Sequence, residues 1–453
     1  MQNAFLKLAG ECSRLGFFGL GRSNLSLIRM LPEGSRITLR SDGRVDLAKL
    51  PDGICADRIY EGAESLSDIA EDALILSPSV RRGRAELVSC AERGVRLTSD
   101  PELFFESANA PTLCVSGSSG KSTVATICSL LIGEGAVLCG NVGEPMVESL
   151  SESATVYVCE LSSFMLAEHR ARVQRSAITN ITPNHLDWHS SFEEYRRAKL
   201  SLLSLSDEIV ISADDPILSD FVGRGRRVFG VYSTSLSLPE LLKRHKARVY
   251  MTLEDGYLCR NGEKILNTGR LIRSEEHNIA NMMCAALLAD GRYKPERLSS
   301  VLCGFSGLAH RCETVACSGG VKYIDSSIDT TPERCATTLL AISSGASPEP
   351  SVLLLLGGRG KGLSYEPLKG TLSDVRHIFA FGEEGKRINE ELSSITPCTV
   401  FERMSDALYA AQRSAVRGDK VLLSPAATSF DEFSSFEERG RCFSELARSF
   451  EKK

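Results

Sequence analysis

The 453-residue chain lacks any hydrophobic run long enough to cross a bilayer. Its longest apolar stretches, such as LLLL at 353–356, fall far short of the roughly 20 residues required. Basic residues are not in excess, because 53 Lys and Arg stand against 58 Asp and Glu, giving a formal net charge of -5. We therefore expect no nucleic-acid or membrane partner. The N-terminus also lacks the apolar core and cleavage site of a signal peptide, so we expect a cytoplasmic protein.

Cysteine patterns that would indicate disulfides or a zinc site are missing as well. The 15 cysteines are scattered, with no CxxC pair and no Cys/His spacing typical of a metal site. We interpret them as free thiols in a reducing compartment, without a catalytic role.

Short β-rich runs alternate with helical stretches along nearly the whole chain. Such alternation is typical of parallel sheets with crossover helices, and continuously apolar strands indicate burial on both faces. The predicted strands are Phe17–Leu20, Arg36–Arg40, Ala73–Leu76, Thr112–Val115, Val156–Glu160, Ile178–Ile181, Glu208–Ser212, Val352–Leu356, Ile378–Phe381 and Val421–Leu423. The sequence therefore predicts an α/β protein.

The length of the chain favours several domains, since one domain usually holds roughly 100 to 200 residues. One break is predicted near Asn109-Ala110-Pro111, where a helical stretch gives way to a new strand. A second is predicted near Ser306-Gly307-Leu308, after a helical run that extends to Asp290. We therefore predict three domains, at residues 1–110, 111–308 and 309–453.

The strongest local signal is a phosphate loop. A strand at 113–115 is followed by Gly117, Ser118, Ser119, Gly120, Lys121, Ser122 and Thr123, and then by a helix-compatible run. Glycines free backbone N–H groups for phosphate oxygens, lysine offsets their charge, and the hydroxyl of Ser122 can reach Mg²⁺. The full Walker pattern would place Gly at Val115, so this is a shortened variant that predicts a nucleotide triphosphate site.

Three residues further along would be unremarkable if each were taken alone. Glu160 ends a strand, at the edge where α/β sheets bind ligands and where a carboxylate can coordinate Mg²⁺. Taken singly, a glutamate there is more often a surface or capping residue, His185 is more often structural, and Lys199 on a helix is ordinarily a solvated charge.

The N-terminal turn Gly19-Leu20-Gly21-Arg22-Ser23-Asn24 follows a strand and begins a helix. A dinucleotide fingerprint would have a third glycine where Asn24 stands, which disfavours an oxidoreductase built on this turn. A glycine-rich turn of this kind can still bind a diphosphate.

Taken together, these segments resemble the Mur ligase family, whose motifs occur in family order over nearly the whole chain. The matching motifs are GLGRS at 19, SP at 77, GSSGKST at 117, GNVGEP at 140, ELSSF at 160, NITPNHLDWH at 180, YRRAK at 195, HNIAN at 277, HRCE at 310, GGRGKG at 357 and SPAATSFDEFSSFEERG at 424. The last motif resembles the D-glutamate-adding branch of the family in particular.

The resemblance implies a three-domain α/β fold. Its N-terminal Rossmann-like domain would bind the UDP-linked substrate, a central domain similar to P-loop ATPases would bind ATP, and a C-terminal Rossmann-like domain would bind the amino acid. It also implies that the N-terminal turn, Gly19 to Ser23, and Ser162 contact the UDP-linked substrate.

The resemblance further implies two Mg²⁺ sites and a set of catalytic residues. Ser122 and Glu160 would hold one ion, and His185 with a carbamylated Lys199 would hold the second. The residues implied in catalysis are Lys121, Asn141, His185 and Lys199; those implied in ATP binding are the phosphate loop from Gly117 to Thr123 with Asn278, Asn281 and Arg311.

The predicted amino-acid site lies in the last domain. Lys361 follows the strand at 352–356, and Ser429, Phe430 and Phe436 follow the strand at 421–423, so all are expected at the carboxyl edge of one sheet. A cation and a hydroxyl suit the distal carboxylate of glutamate, and by resemblance Thr330 would join them.

One stretch in this domain departs from the family. Most members have NDSKATN where this chain has DSSIDTT at 325–331, so Ser326 stands at the position of the usual aspartate. We expect Asp325 or Asp329 to replace it.

The implied reaction is ATP-dependent addition of D-glutamate to UDP-N-acetylmuramoyl-L-alanine through an acyl phosphate, a step of peptidoglycan synthesis, by a monomer. Folylpolyglutamate synthase has a similar short phosphate loop, but it has no use for the additional N-terminal domain. A nucleotide-gated binding protein without ligase activity is a further alternative, disfavoured because His185, Lys199, Lys361 and Ser429 are all in place.

Overall fold

A computed structural model describes residues 3–186, 188–222, 228–342, 350–360 and 362–452. The chain forms two compact units, Met1–Phe305 and Ser306–Lys453. The first unit contains two sheets and the second contains one. The α/β prediction is thereby confirmed.

The first sheet is wholly parallel and has the strand order β3-β2-β1-β4-β5, the first five positions of a Rossmann sheet. Its central strands, β1 and β4, are buried along their whole length. The strands are β1 Leu15–Phe18, β2 Arg36–Ser41, β3 Cys55–Glu61, β4 Ala73–Leu76 and β5 Arg96–Thr98, and the helices are α1 Ala4–Glu11, α2 Arg22–Arg29, α3 Ala85–Glu92 and α4 Asp100–Ser107.

The second sheet has the order β14-β13-β12-β11-β10-β9-β6-β8-β7 and is parallel except for an antiparallel end formed by β12, β13 and β14. Its strands are β6 Thr112–Ser116, β7 Ala136–Gly140, β8 Val156–Glu160, β9 Val173–Ile178, β10 Ser206–Ser212, β11 Val228–Ser233, β12 Ala247–Glu254, β13 Tyr257–Arg260 and β14 Glu263–Asn267. Its helices are α5 Lys121–Ile132, α6 Ser163–Glu168, α7 Phe192–Ser204, α8 Pro216–Val222, α9 Leu238–Arg244, α10 Glu276–Leu288 and α11 Pro295–Gly304.

The sheet of the second unit has the order β15-β16-β20-β17-β18-β19, with β15 as an antiparallel edge strand. Its strands are β15 Glu313–Ser318, β16 Val321–Asp325, β17 Val352–Gly357, β18 Val375–Phe381, β19 Cys398–Phe401 and β20 Lys420–Ala426. Its helices are α12 Pro332–Ile342, α13 Glu366–Lys369, α14 Gly385–Leu392, α15 Met404–Ser414 and α16 Phe436–Ser449. The buried strands β17 and β20 lie at its centre.

Two predicted strands were placed too far along the chain. The strand predicted at 17–20 occupies Leu15–Phe18, and the one predicted at 178–181 occupies Val173–Ile178. The start of β9 was missed because it contains polar residues, which a buried strand seldom has. Arg175 is nevertheless almost fully buried there. Its guanidinium is satisfied by Glu208 and by the backbone oxygens of Leu287, Leu288 and Asp290.

The same sequence, SSFEE, begins two long helices. In α7 the side chain of Ser191 accepts a hydrogen bond from the backbone N–H of Glu194, and in α16 Ser435 does the same for Glu438. Glu194 and Glu438 in turn accept hydrogen bonds from the serine before each cap. Capping of this kind fixes where each helix begins and stabilises it by about 1 kcal/mol.

All 15 cysteines are free thiols, as predicted, and most are buried or half-buried. Cys55 on β3 and Cys317 on β15 are the two exposed ones. Among the described residues, no helix combines the length and the apolar character needed to cross a membrane.

Candidate active site

The phosphate loop joins β6 to α5 and is tightly packed at two glycines. Gly117 has φ +149°, and a Cβ added there would lie 1.8 Å from Oγ1 of Thr179. Gly120 has φ +78°, and its Cβ would lie 2.3 Å from Oδ1 of Asn281. Larger residues would therefore displace the loop. The loop leads directly into the N-terminus of α5, which favours binding of an anion.

Hydrogen bonds hold the loop in this shape. The Ser118 hydroxyl donates to the carbonyl of Thr182 over 2.9 Å and lies 2.8 Å from the Tyr195 hydroxyl. The backbone N–H of Ser119 donates to Oδ1 of Asn180 over 3.0 Å. Nζ of Lys121 donates to the Ser118 carbonyl over 3.3 Å. Ser122 is half-buried and Thr123 is buried in the first turn of α5.

Lys199 points from α7 into the sheet beneath the loop and is only 1 % exposed. Its Nζ donates to the Gly117 carbonyl over 2.8 Å and to Oγ of Ser116 over 3.2 Å. Burial, together with the neighbouring Lys121, lowers the pKa of this amine well below its ordinary value, while Glu160 raises it. Lys199 is thus a buried amine disposed to be neutral, whereas the pattern read alone predicted a solvated charge.

Glu160 ends β8 and is fully buried. Its Oε1 accepts a hydrogen bond from Nδ2 of Asn141 over 2.9 Å, whereas Oε2 has no hydrogen-bond partner among the described residues. A buried carboxylate oxygen left without a partner is costly. A hard cation such as Mg²⁺ would satisfy it, so the donor set fits this ion.

His185 lies in the loop after β9, exposed and with φ +53°. Its ring lies 5.0 Å from that of Phe164, near the N-terminus of α6. Ser162 is the N-cap of α6, where its side chain accepts a hydrogen bond from the backbone N–H of Met165. The hydroxyl of Ser162 and the imidazole of His185 thus lie on segments that leave the same edge of the second sheet.

Asn278 and Asn281 lie in the first turns of α10. Asn281 is buried against Gly120, so it contacts the phosphate loop. Nδ2 of Asn278 donates to the carboxylate of Glu275 over 3.0 Å. The structure therefore brings one of the two predicted asparagines directly to the loop.

The sequence interpretation missed several residues of this region. Thr179 and Asn180 directly follow β9 and support the loop, a position at the sheet edge that could have signalled them. His189 is buried between the rings of Phe164 and Tyr195, and neither ring nitrogen has a hydrogen bond among the described residues. Burial lowers its pKa. No sequence pattern distinguished His189 from His185.

In the N-terminal turn, Gly19 has φ +83° and Gly21 is the N-cap of α2. Leu20 and Ser23 are half-buried and Arg22 is exposed. The guanidinium of Arg22 donates to the Gly143 carbonyl, in the loop that carries Asn141.

Asn24 takes the place of the third fingerprint glycine and is fully buried. Its Nδ2 donates to the carbonyls of Phe18, Gly19 and Ile75 over 3.1, 2.7 and 3.3 Å, which joins the ends of β1 and β4. The departure from the dinucleotide fingerprint is therefore structural.

In the second unit, the residues predicted to bind the amino acid follow the carboxyl ends of their strands. Thr330 is half-buried after β16, Ser429 is buried after β20, and Phe430 is 56 % exposed beside it. Phe436 is half-buried at the start of α16. Lys361 lies outside the described residues.

Arg439 was missed by the sequence interpretation, although it connects these strand ends. The side chain is fully buried, and its nitrogens donate to the Ser327 hydroxyl and carbonyl and to the carbonyls of Ala427 and Thr428, over 3.0 to 3.1 Å. Burial lowers its pKa to about 10. The arginine thus ties the loops after β16 and β20 together.

Arg311 also lies in the second unit, half-buried in the turn before β15. The two acidic residues expected to replace the family aspartate are both buried. Asp325 accepts a hydrogen bond from Nδ1 of His310, and Asp329 accepts from the hydroxyls of Thr338 and Ser424. Neither carboxylate is presented to solvent.

The architecture is similar to that of known proteins. Residues 115–289 match the sequence profile of the Mur ligase middle domain. The fold is similar to that of UDP-N-acetylmuramate-alanine ligase MurC from Thermotoga maritima, with 18% identity, a TM-score of 0.56, and coverage of 95% of this chain and 98% of that one. It is also similar to MurF from Acinetobacter baumannii, with 14% identity, a TM-score of 0.55, and coverage of 100% and 99%. The fold class is that of the Mur ligases.

Curated sequences narrow the assignment. The chain is 32% identical to the UDP-N-acetylmuramoylalanine–D-glutamate ligase of Methylococcus capsulatus, over 96% of this chain and 95% of that protein. It is 32% identical to the ligase of the same name from Shigella sonnei, over 95% and 97%. The chain belongs to the UDP-N-acetylmuramoylalanine–D-glutamate ligase branch of the Mur ligase family.

Proposed function

We propose that the protein uses ATP to join D-glutamate to UDP-N-acetylmuramoyl-L-alanine, a step of peptidoglycan synthesis. The observation that carries the proposal is the end-to-end similarity to ligases of this name, together with a hydrogen-bonded phosphate loop beside a buried carboxylate of which one oxygen has no partner among the described residues. A solved MurF ligase of similar fold, from Thermotoga maritima, is described in complex with ADP.

ATP would lie with its phosphates on the loop from Gly117 to Thr123. The backbone N–H groups at the start of α5 and the Lys121 ammonium would offset the phosphate charge, in a position that the loop hydrogen bonds already define. Asn278 and Asn281 would border the nucleotide from α10, and Arg311 of the second unit would contact the phosphates.

Mg²⁺ would be held by Glu160 and Ser122, where it would neutralise charge that develops on the transferred phosphoryl group. Asn141 donates to Oε1 of Glu160, and Oε2 would be the oxygen that holds the ion. A second ion would require an anionic partner for His185. A carbamate on Lys199 would supply it, since a neutral amine can combine with CO₂ and the pKa of Lys199 is strongly lowered.

The UDP-linked substrate would place its diphosphate on the N-terminal turn, Gly19 to Ser23, where Gly21 begins α2. Ser162 would contact the same substrate near the phosphate loop. The terminal carboxylate of the UDP-linked substrate would then attack the γ-phosphorus of ATP. An acyl phosphate forms and ADP leaves.

D-Glutamate would bind at the carboxyl edge of the sheet in the second unit. Its distal carboxylate would pair with Lys361 and Ser429, with Thr330, Phe430 and Phe436 nearby. The amine attacks the acyl carbon and displaces phosphate, which completes the amide bond. Arg439 would fix the loops that form this site, because it binds the backbone on both sides of it.

Domain limits, oligomeric state and location complete the proposal. The three sheets lie within residues 1–110, 111–308 and 309–453, and the break between the compact units at Phe305 supports the second boundary. We infer a cytoplasmic monomer. Gel filtration coupled to light scattering would test the oligomeric state.

ADP formation tests the proposal directly. The purified chain is mixed with ATP, Mg²⁺ and UDP-N-acetylmuramoyl-L-alanine, and D-glutamate, L-glutamate, D-alanine or L-alanine is added in turn. We expect turnover with D-glutamate alone and none from Lys121→Ala with any acceptor, because the loop charge is lost. Better turnover with another amino acid would refute the acceptor, and full activity of Lys121→Ala would refute the ATP site.

A further inference from the structure

A strained turn precedes β15. His310 has φ +60° and Cys312 has φ +46°, left-handed conformations that are uncommon for residues with a side chain. Arg311 stands between them. Such conformations are unfavourable, so surrounding contacts must hold the turn in this conformation.

Those contacts come mainly from the loop after β16. The Ile328 N–H donates to the His310 carbonyl over 3.2 Å, and the Cys312 N–H lies 3.3 Å from the Ser326 hydroxyl. The His310 N–H is bound by the carboxylate of Glu313 over 3.0 Å. The backbone on both sides of Arg311 is therefore fixed.

Asp325 adds a contact to the His310 side chain. Its Oδ2 lies 2.7 Å from Nδ1 of His310, and its Oδ1 accepts a hydrogen bond from the Ser327 N–H over 2.8 Å. The carboxylate is 0 % exposed, so it cannot touch a ligand itself.

Gly440 of α16 makes room for this pair. A Cβ at residue 440 would lie 2.2 Å from Nδ1 of His310 and 2.7 Å from Oδ2 of Asp325. The glycine of the FEERG segment is thus needed where the imidazole and the carboxylate meet against the helix.

We propose that Asp325 is a positioning residue, which holds His310 as an imidazolium and thereby fixes Arg311 for the phosphates of ATP. The inference rests on the proposed function for the role of Arg311. The buried pair, acting through its neighbour, would thereby order the turn that carries Arg311.

A metal site made from His310, Glu313 and Asp325 fits the distances less well. These three side chains are close enough to be considered for one ion. Ligand atoms that share a tetrahedral ion stand about 3.3 Å apart, whereas Nδ1 and Oδ2 are 2.7 Å apart, the distance of a charge-assisted hydrogen bond.

The charged groups that face His310 are acidic, and they favour the protonated form of its imidazole. The hydrogen bond that His310 donates to Asp325 raises the pKa of His310 above its ordinary value, and Glu313 on β15 and Glu437 on α16 act in the same direction, against burial. The imidazolium is therefore present below the raised pKa and is lost as the pH rises through it.

The first test measures the pair without using activity. The chain has seven histidines, so ¹³C-labelled histidine gives a simple spectrum in which His310→Gln identifies the resonance of His310. We expect a titration midpoint above 6.5 in the unaltered chain and a midpoint near or below about 6.5 in Asp325→Asn. Equal midpoints in the two proteins, or binding of added Zn²⁺ in place of the proton, would overturn the ion pair.

The second test connects the pair to ATP. Between the two midpoints, Asp325→Asn should raise the KM for ATP about fivefold, the difference between a charged and a neutral hydrogen bond, with kcat and the other two KM values little changed. Gly440→Ala should act similarly by separating the pair. Asp419→Asn, which removes a buried partner of Arg376 elsewhere in the unit, is the matched control and should leave both readouts unchanged.

An unchanged KM for ATP in Asp325→Asn, despite a shifted His310 midpoint, would overturn the link to Arg311. Failure of the proposed function would look different, because the unaltered chain would then form no ADP while the histidine titration still reported on the pair.

Discussion

Replacement of Lys199 offers a direct test of the chemistry of the buried amine. Lys199→Ala removes a side chain that is 1 % exposed and donates to two buried oxygens, at Ser116 and Gly117. Truncation of a buried side chain of this size leaves a cavity and typically costs about 2 to 5 kcal/mol of stability. Lys199→Met fills the same space without the amine and should cost less than the alanine variant, although it removes the donor to the Gly117 carbonyl.

Both variants should lose at least about a hundredfold in turnover, because neither can form the carbamate that would hold the second Mg²⁺. Only the alanine variant has room for a small acid. Added acetate or propionate should therefore restore part of the activity of Lys199→Ala by supplying the missing anionic oxygens, and should not help Lys199→Met. Removal of dissolved CO₂ should lower the activity of the unaltered enzyme.

The assay is ADP formation at saturating substrates, with thermal unfolding recorded for each variant. Equal rescue of both variants by acid would show that the acid acts elsewhere. Full activity of Lys199→Met without any acid would show that the amine only fills space, and the carbamate would have to be abandoned.

Three further predictions concern other parts of the molecule. Gly120→Ala should weaken ATP binding by at least about tenfold, because its Cβ would lie 2.3 Å from Oδ1 of Asn281; unaltered nucleotide affinity by calorimetry would contradict the packing. Burial lowers the pKa of His169 to about 4, so the stability it contributes is present above about 6.5 and is lost as the pH falls towards 4. This loss amounts to at most about 3 kcal/mol and should vanish in His169→Phe, as denaturant unfolding at several pH values would show. Lys361→Ala should raise the KM for D-glutamate by about two to four decades, which corresponds to about 3 to 5 kcal/mol, and Ser429→Ala should raise it by less, with ATP saturation unchanged in both. An unchanged KM for D-glutamate would refute this site.

Short sequence patterns predicted the parts of the fold that depend on a few consecutive residues. The phosphate loop was evident because a strand, two glycines, a lysine and a hydroxyl follow each other without interruption. Glu160 was placed correctly at a strand end because β8 is apolar and short. The N-terminal sheet was predicted for the same reason, from buried strands such as β4 at Ala73–Leu76.

Contacts between distant segments could not be read in the same way. Burial of Lys199 depends on β6, more than 80 residues earlier in the chain, and the role of Arg439 depends on loops that only the folded sheet brings together. The start of β9 was missed because Arg175 looks like a surface residue until its partners on α10 are known. The pairing of His310 with Asp325 could not be predicted either, because the space for it depends on Gly440, which only the folded chain brings beside them.

The distribution of thiols makes the natural chain convenient for spectroscopy. Of its cysteines only Cys55 and Cys317 are exposed, one in each compact unit, and burial raises the pKa of several others, such as Cys128 and Cys335, which makes them slow to alkylate. Brief treatment with a maleimide dye should therefore label these two sites first, one on each unit, without any engineered residue. The two labels would then report separately on each unit when ATP, the UDP-linked substrate and D-glutamate are added in turn.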